Sequence, residues 1–226
     1  MSEAKRVEPV EQSGIGRRRS AARTDSSATY RAKRVEIAEA AVRVFNRMGF
    51  ERASIAAVAE EMGVDRASLY YYISSKEELF DEVVRTVVER NRTLAKQIEI
   101  SDLSPRRKLR DMIVMLMTSY GDHYPLFYIY IRENLSHVSD SRTQWSKDMR
   151  EINRQTTDSM IAIIEQGYAD KSLRNLGPAA IVAYGIFGVI GWTHRWFRPD
   201  RSDVSAEEIG RTYAEMILSG LEDPYR

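Results

Sequence analysis

The 226-residue chain contains no cysteine, only three histidines and only six prolines. Without cysteine it can form no disulfide, no zinc–thiolate site and no cysteine nucleophile. The formal net charge is only +1, so no overall basic excess indicates a nucleic-acid partner. No apolar run reaches the roughly 20 residues of a membrane span, and no apolar stretch near the N-terminus forms a secretory signal. We therefore expect a soluble, cytoplasmic protein with no membrane partner.

The missing residue types also argue against catalysis. The three histidines are His123, His137 and His194, and neither a glycine-rich phosphate loop nor a nucleophile–base pair stands out. Glu133 and His137 stand four residues apart, a spacing that can hold a metal, but no third ligand follows at a suitable distance. We expect no enzyme activity, no cofactor and no metal. A helical enzyme is the less favoured alternative.

Charge is distributed unevenly along the chain. Residues 1–34 contain nine basic and four acidic residues, so the remainder has a net negative charge. Residues 1–28 contain few large apolar side chains, and burial therefore cannot offset the entropy of ordering them. We expect this segment to be a disordered basic arm. It is either a solvated tail or an arm that reaches a DNA groove.

From about residue 30 onward the hydrophobic pattern is helical, and strand-like alternation is absent. Apolar residues at 37, 41, 44, 45 and 48, for example, form one stripe of a first helix. The fold class is therefore all-α with about nine helices: a three-helix domain over residues 29–80 and a larger helical domain over 81–226. The expected helices are 30–48, 54–63, 66–72, 75–98, 106–121, 124–138, 142–167, 178–197 and 205–221.

The segment SIAAVAEEMGVDRASLYYYISSKEEL, residues 54–79, has the pattern of a helix-turn-helix. Two short helices meet at Gly63, whose backbone freedom suits a tight turn, and Ser54 and Asp65 stand at their N-caps. The second short helix turns Leu69 inward and leaves Arg66 and polar neighbours outward. Arginine reads guanine edges, and hydroxyl groups reach bases or phosphates.

Two positions of this motif have alternative interpretations. Tyr70 either packs in the core or lends its hydroxyl to DNA. Lys76 opens the next helix, where a cation opposes the helix dipole, so a phosphate clamp explains it better than an ordinary surface lysine does. The candidate DNA-binding residues are Ser54, Arg66, Ser68, Tyr70, Tyr71, Tyr72 and Lys76.

These residues resemble the DNA-binding domain of TetR-family transcriptional regulators. The resemblance is dense over residues 31–80 and extends loosely over 31–222. Asp65 departs from the family's usual Ser or Thr, Tyr72 from its common His, and Ile73 from its common Phe. Asp65 either caps its helix or accepts a hydrogen bond from a cytosine amino group. The matching residues are Gly49, Ser54, Ile55, Val58, Ala59, Gly63, Val64, Leu69, Tyr70, Tyr71, Lys76, Glu77, Glu78 and Leu79.

The resemblance implies a ligand-responsive repressor that binds double-stranded operator DNA as a homodimer, with a DNA-binding protein that needs no effector as the alternative. The two-fold symmetry of such a dimer implies a palindromic operator, since its recognition helices enter successive grooves about 34–36 Å apart. The last two helices are the expected dimer surface, because the segment 178–192 is apolar almost all round and contains small residues. The candidate interface residues are Tyr184, Phe187, Ile190, Ile209, Tyr213, Met216 and Leu221.

The C-terminal two-thirds is rich in Met and aromatic residues, which mostly build core but also suit a large apolar ligand. Its end, GWTHRWFRPD followed by a capped helix, resembles TetR-family regulators of fatty-acid and steroid breakdown. Those regulators respond to acyl-CoA thioesters, which implies an acyl-CoA or related effector; a free lipophile is the alternative. Arg132, Arg195 and Arg198 are candidate phosphate ligands; Arg195 and Arg198 are alternatively members of ion pairs between subunits. The candidate effector residues are Met112, Met115, Tyr120, Tyr124, Tyr128, Arg132, Trp145, Met149 and Trp192.

Overall fold

A computed structural model describes residues 28–136 and 143–221, and over these ranges it contains nine α-helices and no strand. The expected basic arm over residues 1–28 therefore lies, except for its last residue, outside the described residues. The helices are α1 Ala28–Met48, α2 Ile55–Met62, α3 Arg66–Tyr72, α4 Lys76–Ile100, α5 Pro105–Asp122, α6 Leu126–Ser136, α7 Thr143–Ala169, α8 Ala179–Trp192 and α9 Ala206–Leu221.

The helices form two compact units that divide after Val83, inside α4. The boundary expected after residue 80 falls within the same helix. In the first unit, the apolar stripe of α1 is confirmed, since Ile37, Ala41, Val44 and Phe45 are completely buried. They share this core with residues of α2, α3 and α4: Ile55, Val58, Ala59, Leu69, Leu79, Phe80 and Val83.

In the second unit, the core lies between α5, α7, α8 and α9. Leu109, Met112 and Ile113 of α5 are fully buried there, against apolar residues of the other three helices. Gly210 lets α9 approach α5 closely, since a Cβ at this position would stand 3.0 Å from the Cα of Val114. One long side of α9 is therefore covered inside the protomer.

Helix α8 differs from its expected form in two ways. The helix expected over 178–197 ends at Trp192, where the chain tightens into a 3-10 turn over Thr193–Arg195. This turn brings Phe197 into the core, where it is almost completely buried. Along α8 itself, only Ala179, Ala183 and Ile186 are buried within the protomer.

None of the helices over the described ranges combines the length and the apolar character that a membrane crossing requires.

Candidate functional site: a nucleic-acid interface and a ligand-binding region

The turn between α2 and α3 has the geometry that the sequence predicts. Gly63 ends α2 in the left-handed region with φ +66°. Its N–H donates to Glu60 O at 3.1 Å, and the N–H of Val64 donates to Ala59 O at 3.0 Å. These bonds satisfy carbonyls that the helix end would leave open, and the left-handed backbone explains the glycine. The turn thus holds α2 and α3 in a helix-turn-helix.

Capping side chains fix the start of each short helix. Ser54 accepts a hydrogen bond from the Ala57 N–H at 3.2 Å, as expected for the cap of α2. Asp65 accepts from the Ser68 N–H at 2.9 Å and also from the Ser68 hydroxyl. The hydroxyl bond, followed by the backbone bond, lowers the pKa of Asp65. The cap role of Asp65 is confirmed, and the Ser68 hydroxyl is engaged within the protein.

The first turn of α3 presents an exposed guanidinium. Arg66 and Ser68 are exposed, whereas Leu69 faces the core and is almost completely buried. Arg66 Nη2 donates to the Tyr70 hydroxyl at 2.7 Å, and the guanidinium carbon lies 5.2 Å from the centroid of the Tyr70 ring. A hydrogen bond and a cation–π contact therefore hold Arg66 against a side chain one turn away.

The other two tyrosines of α3 pack with a ring of α1. Tyr71 and Tyr72 are half-buried, with their ring centroids 4.9 Å apart. Tyr30 lies 6.2 Å from Tyr71 and 5.2 Å from Tyr72, centroid to centroid. This contact gives both residues a structural role that the sequence did not reveal.

Lys76 also has partners within the first unit. Its Nζ donates to the carbonyl oxygen of Glu51 at 2.9 Å and lies 4.4 Å from the centroid of the Phe50 ring. An ammonium group has three donors, so this contact leaves capacity for a phosphate. The lysine at the start of α4 therefore both holds the loop before α2 and remains a candidate phosphate ligand.

Arg34 was counted in the basic N-terminal segment, but it forms a partly buried ion-pair network. Its guanidinium donates to Glu82 at 2.5 Å, to Glu78 at 3.1 Å and to the carbonyl oxygen of Tyr72 at 3.1 Å. Burial disfavours the charge, but the hydrogen bond to Glu82 and the negative charges of Glu82 and Glu78 outweigh it and raise the pKa of Arg34. Arg34 thus joins α1 to α4 and to the end of α3, and its charge is neutralised there.

In the second unit, some candidate effector residues meet around one aromatic cluster. Tyr120 lies 6.3 Å from Tyr124 and 6.2 Å from Phe197, and Tyr124 lies 6.0 Å from Tyr128, centroid to centroid. The Tyr120 hydroxyl is buried and has no hydrogen-bond partner among the described residues. Burial raises the pKa of Tyr120. The cluster thus has an apolar wall with one unsatisfied polar group.

Other candidate effector residues lie elsewhere. Met112 is completely buried in the core between helices, which gives it a packing role. Trp145 stacks edge-on against Tyr130, with ring centroids 6.0 Å apart, and Met149 is buried on the same helix α7. Trp192 is 61% exposed at the end of α8, so most of its side-chain surface is not covered by the rest of the chain. The side chain of Arg132 is outside the described part of the structure.

A cleft that the sequence analysis missed lies between α4, α5 and α9. Its volume is about 900 Å³, and Met115 is the one candidate effector residue that lines it. The segment Pro105–Arg110 supplies three of its arginines. Its sequence could have indicated the cleft, because it places cations on successive turns of α5. Arg195 and Arg198 do not line the cleft; Arg195 instead lies over the Trp192 ring, 5.1 Å from its centroid.

The candidate dimer residues divide into three groups: exposed, half-buried and buried. Tyr184 and Met216 are exposed, at 66% and 56%, and Phe187, Ile190 and Tyr213 are half-buried against the core. Ile209 and Leu221 were assigned wrongly: they are only 5% and 2% exposed because the face of α9 that carries them packs inside the protomer. These two side chains are not available to a second copy.

Both units match known families. Residues 37–83 match the family model of bacterial regulatory proteins of the tetR family, and residues 102–221, over half of the chain, match the tetracyclin repressor-like C-terminal domain. The HTH-type transcriptional repressor KstR2 of Rhodococcus jostii is 24% identical over 194 residues, which cover 85% of this chain and 93% of that repressor.

Two solved structures share the fold. The TetR-family regulator PfmR of Thermus thermophilus has a TM-score of 0.65 at 24% identity, covering 83% of this chain and 99% of that one. FadR of Bacillus subtilis, solved in complex with stearoyl-CoA, has a TM-score of 0.63 at 16% identity, with the same coverage. The helix-turn-helix in the first unit and the family matches over both units lead to one conclusion: the chain belongs to the TetR family of transcriptional regulators and is not an enzyme.

Proposed function

We propose that the protein is a repressor that binds a palindromic operator as a homodimer and is released by an acyl-CoA or a related CoA thioester. The observation that carries the DNA-binding part is the exposed Arg66 on the first turn of α3, directly after the Gly63 turn. An arginine at this end of a recognition helix can bind a guanine edge with two hydrogen bonds. The relatives named as repressors support the direction of regulation.

Contacts to phosphates would position α3 in the groove. Lys76 is the candidate cation at the start of α4, and Ser54 at the start of α2 lies exposed. Tyr71 and Tyr72 would contribute through their hydroxyls while their rings stay packed on Tyr30. In this scheme Arg66 selects the sequence, whereas the other groups set affinity and register.

A face of α8 is the proposed dimer surface. Ile181 and Tyr184 are largely exposed there, at 67% and 66%. Side chains at Gly185 and Gly188 would meet nothing within 4 Å in the protomer, so a second helix can approach closely. Met216 extends the exposed apolar surface onto α9. Isolated apolar residues are common on surfaces, but a row of them beside glycines favours a helix–helix interface.

Oligomeric state tests this surface. Tyr184→Asp places a charge in the proposed interface and should convert the dimer into monomer in sedimentation velocity, with its helical content unchanged. Thr157→Asp, on a half-buried position of α7, is the matched control and should stay dimeric. A dimeric Tyr184→Asp variant would place the interface elsewhere.

The aromatic cluster supports an effector with both an apolar part and a hydrogen-bond acceptor. The Tyr120 hydroxyl is buried without a partner, and leaving a buried donor unsatisfied costs about 1–3 kcal/mol. The carbonyl of a thioester would satisfy it, and the surrounding tyrosine and phenylalanine rings would contact an acyl chain. The stearoyl-CoA bound to FadR, a protein of the same fold, is consistent with this class of ligand.

Release from DNA then follows from differential affinity. A ligand that binds better to a state with altered spacing of the two α3 helices lowers operator affinity by that difference. Helix α4 runs without interruption from Lys76 to Ile100 and is the segment shared by both units. Such a regulator would act on the chromosome, in the cytoplasm.

A gel shift with DNA from upstream of the protein's own gene tests the proposal. We expect a retarded complex. CoA thioesters should dissociate it at micromolar concentration, which corresponds to a binding free energy of about −8 kcal/mol. The matching free acids are the control and should leave the complex intact. Release by the free acids alone would replace the thioester by a free lipophile and leave the repressor proposal standing. The absence of any DNA complex would refute the repressor proposal itself.

A further inference from the structure

The cleft between α4, α5 and α9 concentrates positive charge. Against its cations stand three carboxylates, those of Asp111, Asp122 and Glu207, so the lining has an excess of positive charge. Guanidinium groups bind phosphate oxygens in pairs of parallel hydrogen bonds, which makes arginine the residue best suited to such anions. The arginines that line the cleft are Arg90, Arg106, Arg107, Arg110 and Arg211.

Two of these arginines have no carboxylate partner in the described part of the chain. Arg110 reaches Glu215 at 3.2 Å, and Arg211 pairs with Glu207 at 2.6 Å. For Arg90 and Arg107 the described residues provide no ion pair. Cations that share one concave surface repel each other, and the repulsion is relieved when an anion enters.

The wall of the cleft contains an unsatisfied polar group as well. Ser119 is only 8% exposed and lines the cleft, and its Oγ has no hydrogen-bond partner among the described residues. Asn91, only 6% exposed, lines the same space from α4. Leu94 and Met115 supply apolar surface between them. The cleft therefore combines arginine side chains with buried hydrogen-bonding groups and apolar surface.

We propose that this cleft binds the phosphate-bearing nucleotide end of a CoA thioester, with Arg90 and Arg107 as phosphate ligands and Ser119 as a donor to the pantetheine chain. The inference rests on the CoA thioester of the proposed function and assigns the charged half of that ligand. It replaces Arg195 and Arg198 as phosphate ligands, since neither lines the cleft.

The size and charge of this half match the cleft. Its volume of about 900 Å³ stands at the upper end of the range for pockets that hold drug-sized ligands. A phosphomonoester alone carries about 1.5 to 2 negative charges at pH 7, and the nucleotide end of CoA adds a diphosphate to it. Two separated phosphate groups require cations on more than one element, and Arg90 of α4 and Arg107 of α5 provide them.

Calorimetric titration of the full chain with unacylated CoA tests the assignment without depending on DNA. We expect Arg90→Ala and Arg107→Ala each to weaken CoA binding about tenfold, the loss expected for one charge-assisted hydrogen bond. Arg150→Ala removes an exposed arginine of α7 that does not line the cleft and should bind CoA as the wild type does. Ser119→Ala should weaken CoA binding less than either arginine variant, and 3′-dephospho-CoA should bind the wild type more weakly than CoA.

The outcomes separate this inference from the effector proposal. Equal CoA affinity of the wild type and the Arg90→Ala/Arg107→Ala double variant would overturn the inference, even if thioesters still release DNA. ATP binding as tightly as CoA would also overturn it, because the cleft would then be a general polyphosphate site. A third outcome is that CoA binding depends on these arginines but no thioester dissociates the DNA complex. This result would support the assignment of the cleft as a CoA site and refute the CoA thioester as the effector. Operator binding by each variant checks that it is folded.

Discussion

The candidate sites of the two units are built in different ways. In the first unit, the candidate DNA-binding residues lie within a short stretch of chain, from Ser54 to Lys76. In the second unit, the cleft collects residues from α4, α5 and α9, which are more than 100 positions apart at their extremes. A local site can be predicted from spacing and capping, whereas a site assembled from distant helices depends on how those helices rotate and pack.

Met112→Ala would show the largest effect and would sharpen this comparison. Met112 belongs to the expected effector set but is completely buried in the core of the second unit. Its removal should lower the free energy of unfolding by about 2–5 kcal/mol, because it deletes packed atoms and leaves a cavity. Chemical denaturation measures this loss.

The effector response separates a core role of Met112 from a ligand role. The concentration of CoA thioester that dissociates half of the DNA complex should be the same for Met112→Ala as for the wild type. Tyr120→Phe should behave in the opposite way. It removes an unpaired buried hydroxyl, so the free energy of unfolding should not fall, but a higher concentration of thioester should be required to dissociate the DNA complex. A Met112→Ala variant of unchanged stability and altered effector response would restore Met112 to the binding site.

Arg66→Ala addresses the local site of the first unit. We expect specific operator binding to weaken by about 1–3 kcal/mol, the usual loss for a two-bond contact to guanine. Binding to unrelated DNA should change less, and a comparison of the two titrations measures the difference. Tyr70→Phe removes the hydroxyl that accepts from Arg66 and should produce a smaller loss of the same specific kind. Equal losses on specific and unrelated DNA would make Arg66 a phosphate ligand.

The residues explain why prediction succeeded in one unit and failed in parts of the other. Gly63, Ser54 and Asp65 act through their own turns, so their roles followed from the chain itself. The hydrophobic periodicity was equally informative, since it predicts all nine helices of the described residues. The side of α9 that packs on α5 was not predictable, because it is set by Gly210 and the approach of another helix. Ile209 was therefore placed on the wrong surface.

In the first unit too, contacts between residues that are distant in sequence could not be predicted. The network of Arg34 with Glu78 and Glu82 joins positions more than 40 residues apart, and no spacing rule indicates it. The contact of Lys76 with Glu51 and Phe50 is of the same kind. The sequence shows that Arg34 and Lys76 are charged, but it does not show which residues they contact.

Lys76→Ala tests whether that engagement leaves the lysine free for DNA. We expect affinity for all sequences to fall and the salt dependence of binding to flatten by roughly one charge per subunit. Arg52→Ala, an exposed cation whose guanidinium donates to Met48 O, is the matched control and should leave the slope nearly unchanged. An unchanged slope in Lys76→Ala, together with a lower melting temperature, would assign Lys76 to the loop alone.

Asp65→Asn is expected to have the smallest effect and to test whether Asp65, besides capping α3, also contacts a base. Asparagine caps a helix about as well as aspartate does, so the variant should keep α3 intact at neutral pH. It also removes a negative charge near the DNA phosphates, and operator affinity should therefore rise slightly, most clearly at low salt. A lower affinity that depends on a cytosine in the operator would show that Asp65 also reads a base.

Acid provides an independent check on the cap, with a definite sign. The bonds from Ser68 lower the pKa of Asp65 below its ordinary value of 3.8 in the folded protein. Its stabilising contribution is therefore complete above pH 3.8 and is lost as the pH falls through the lower folded value. The wild type and Asp65→Asn should thus differ in the pH dependence of thermal unfolding only on the acid side. Asp65→Ala removes the cap altogether and should be less stable than both at neutral pH. If Asp65→Ala and Asp65→Asn were equally stable there, the hydrogen bond to the Ser68 N–H would not be what holds the start of α3.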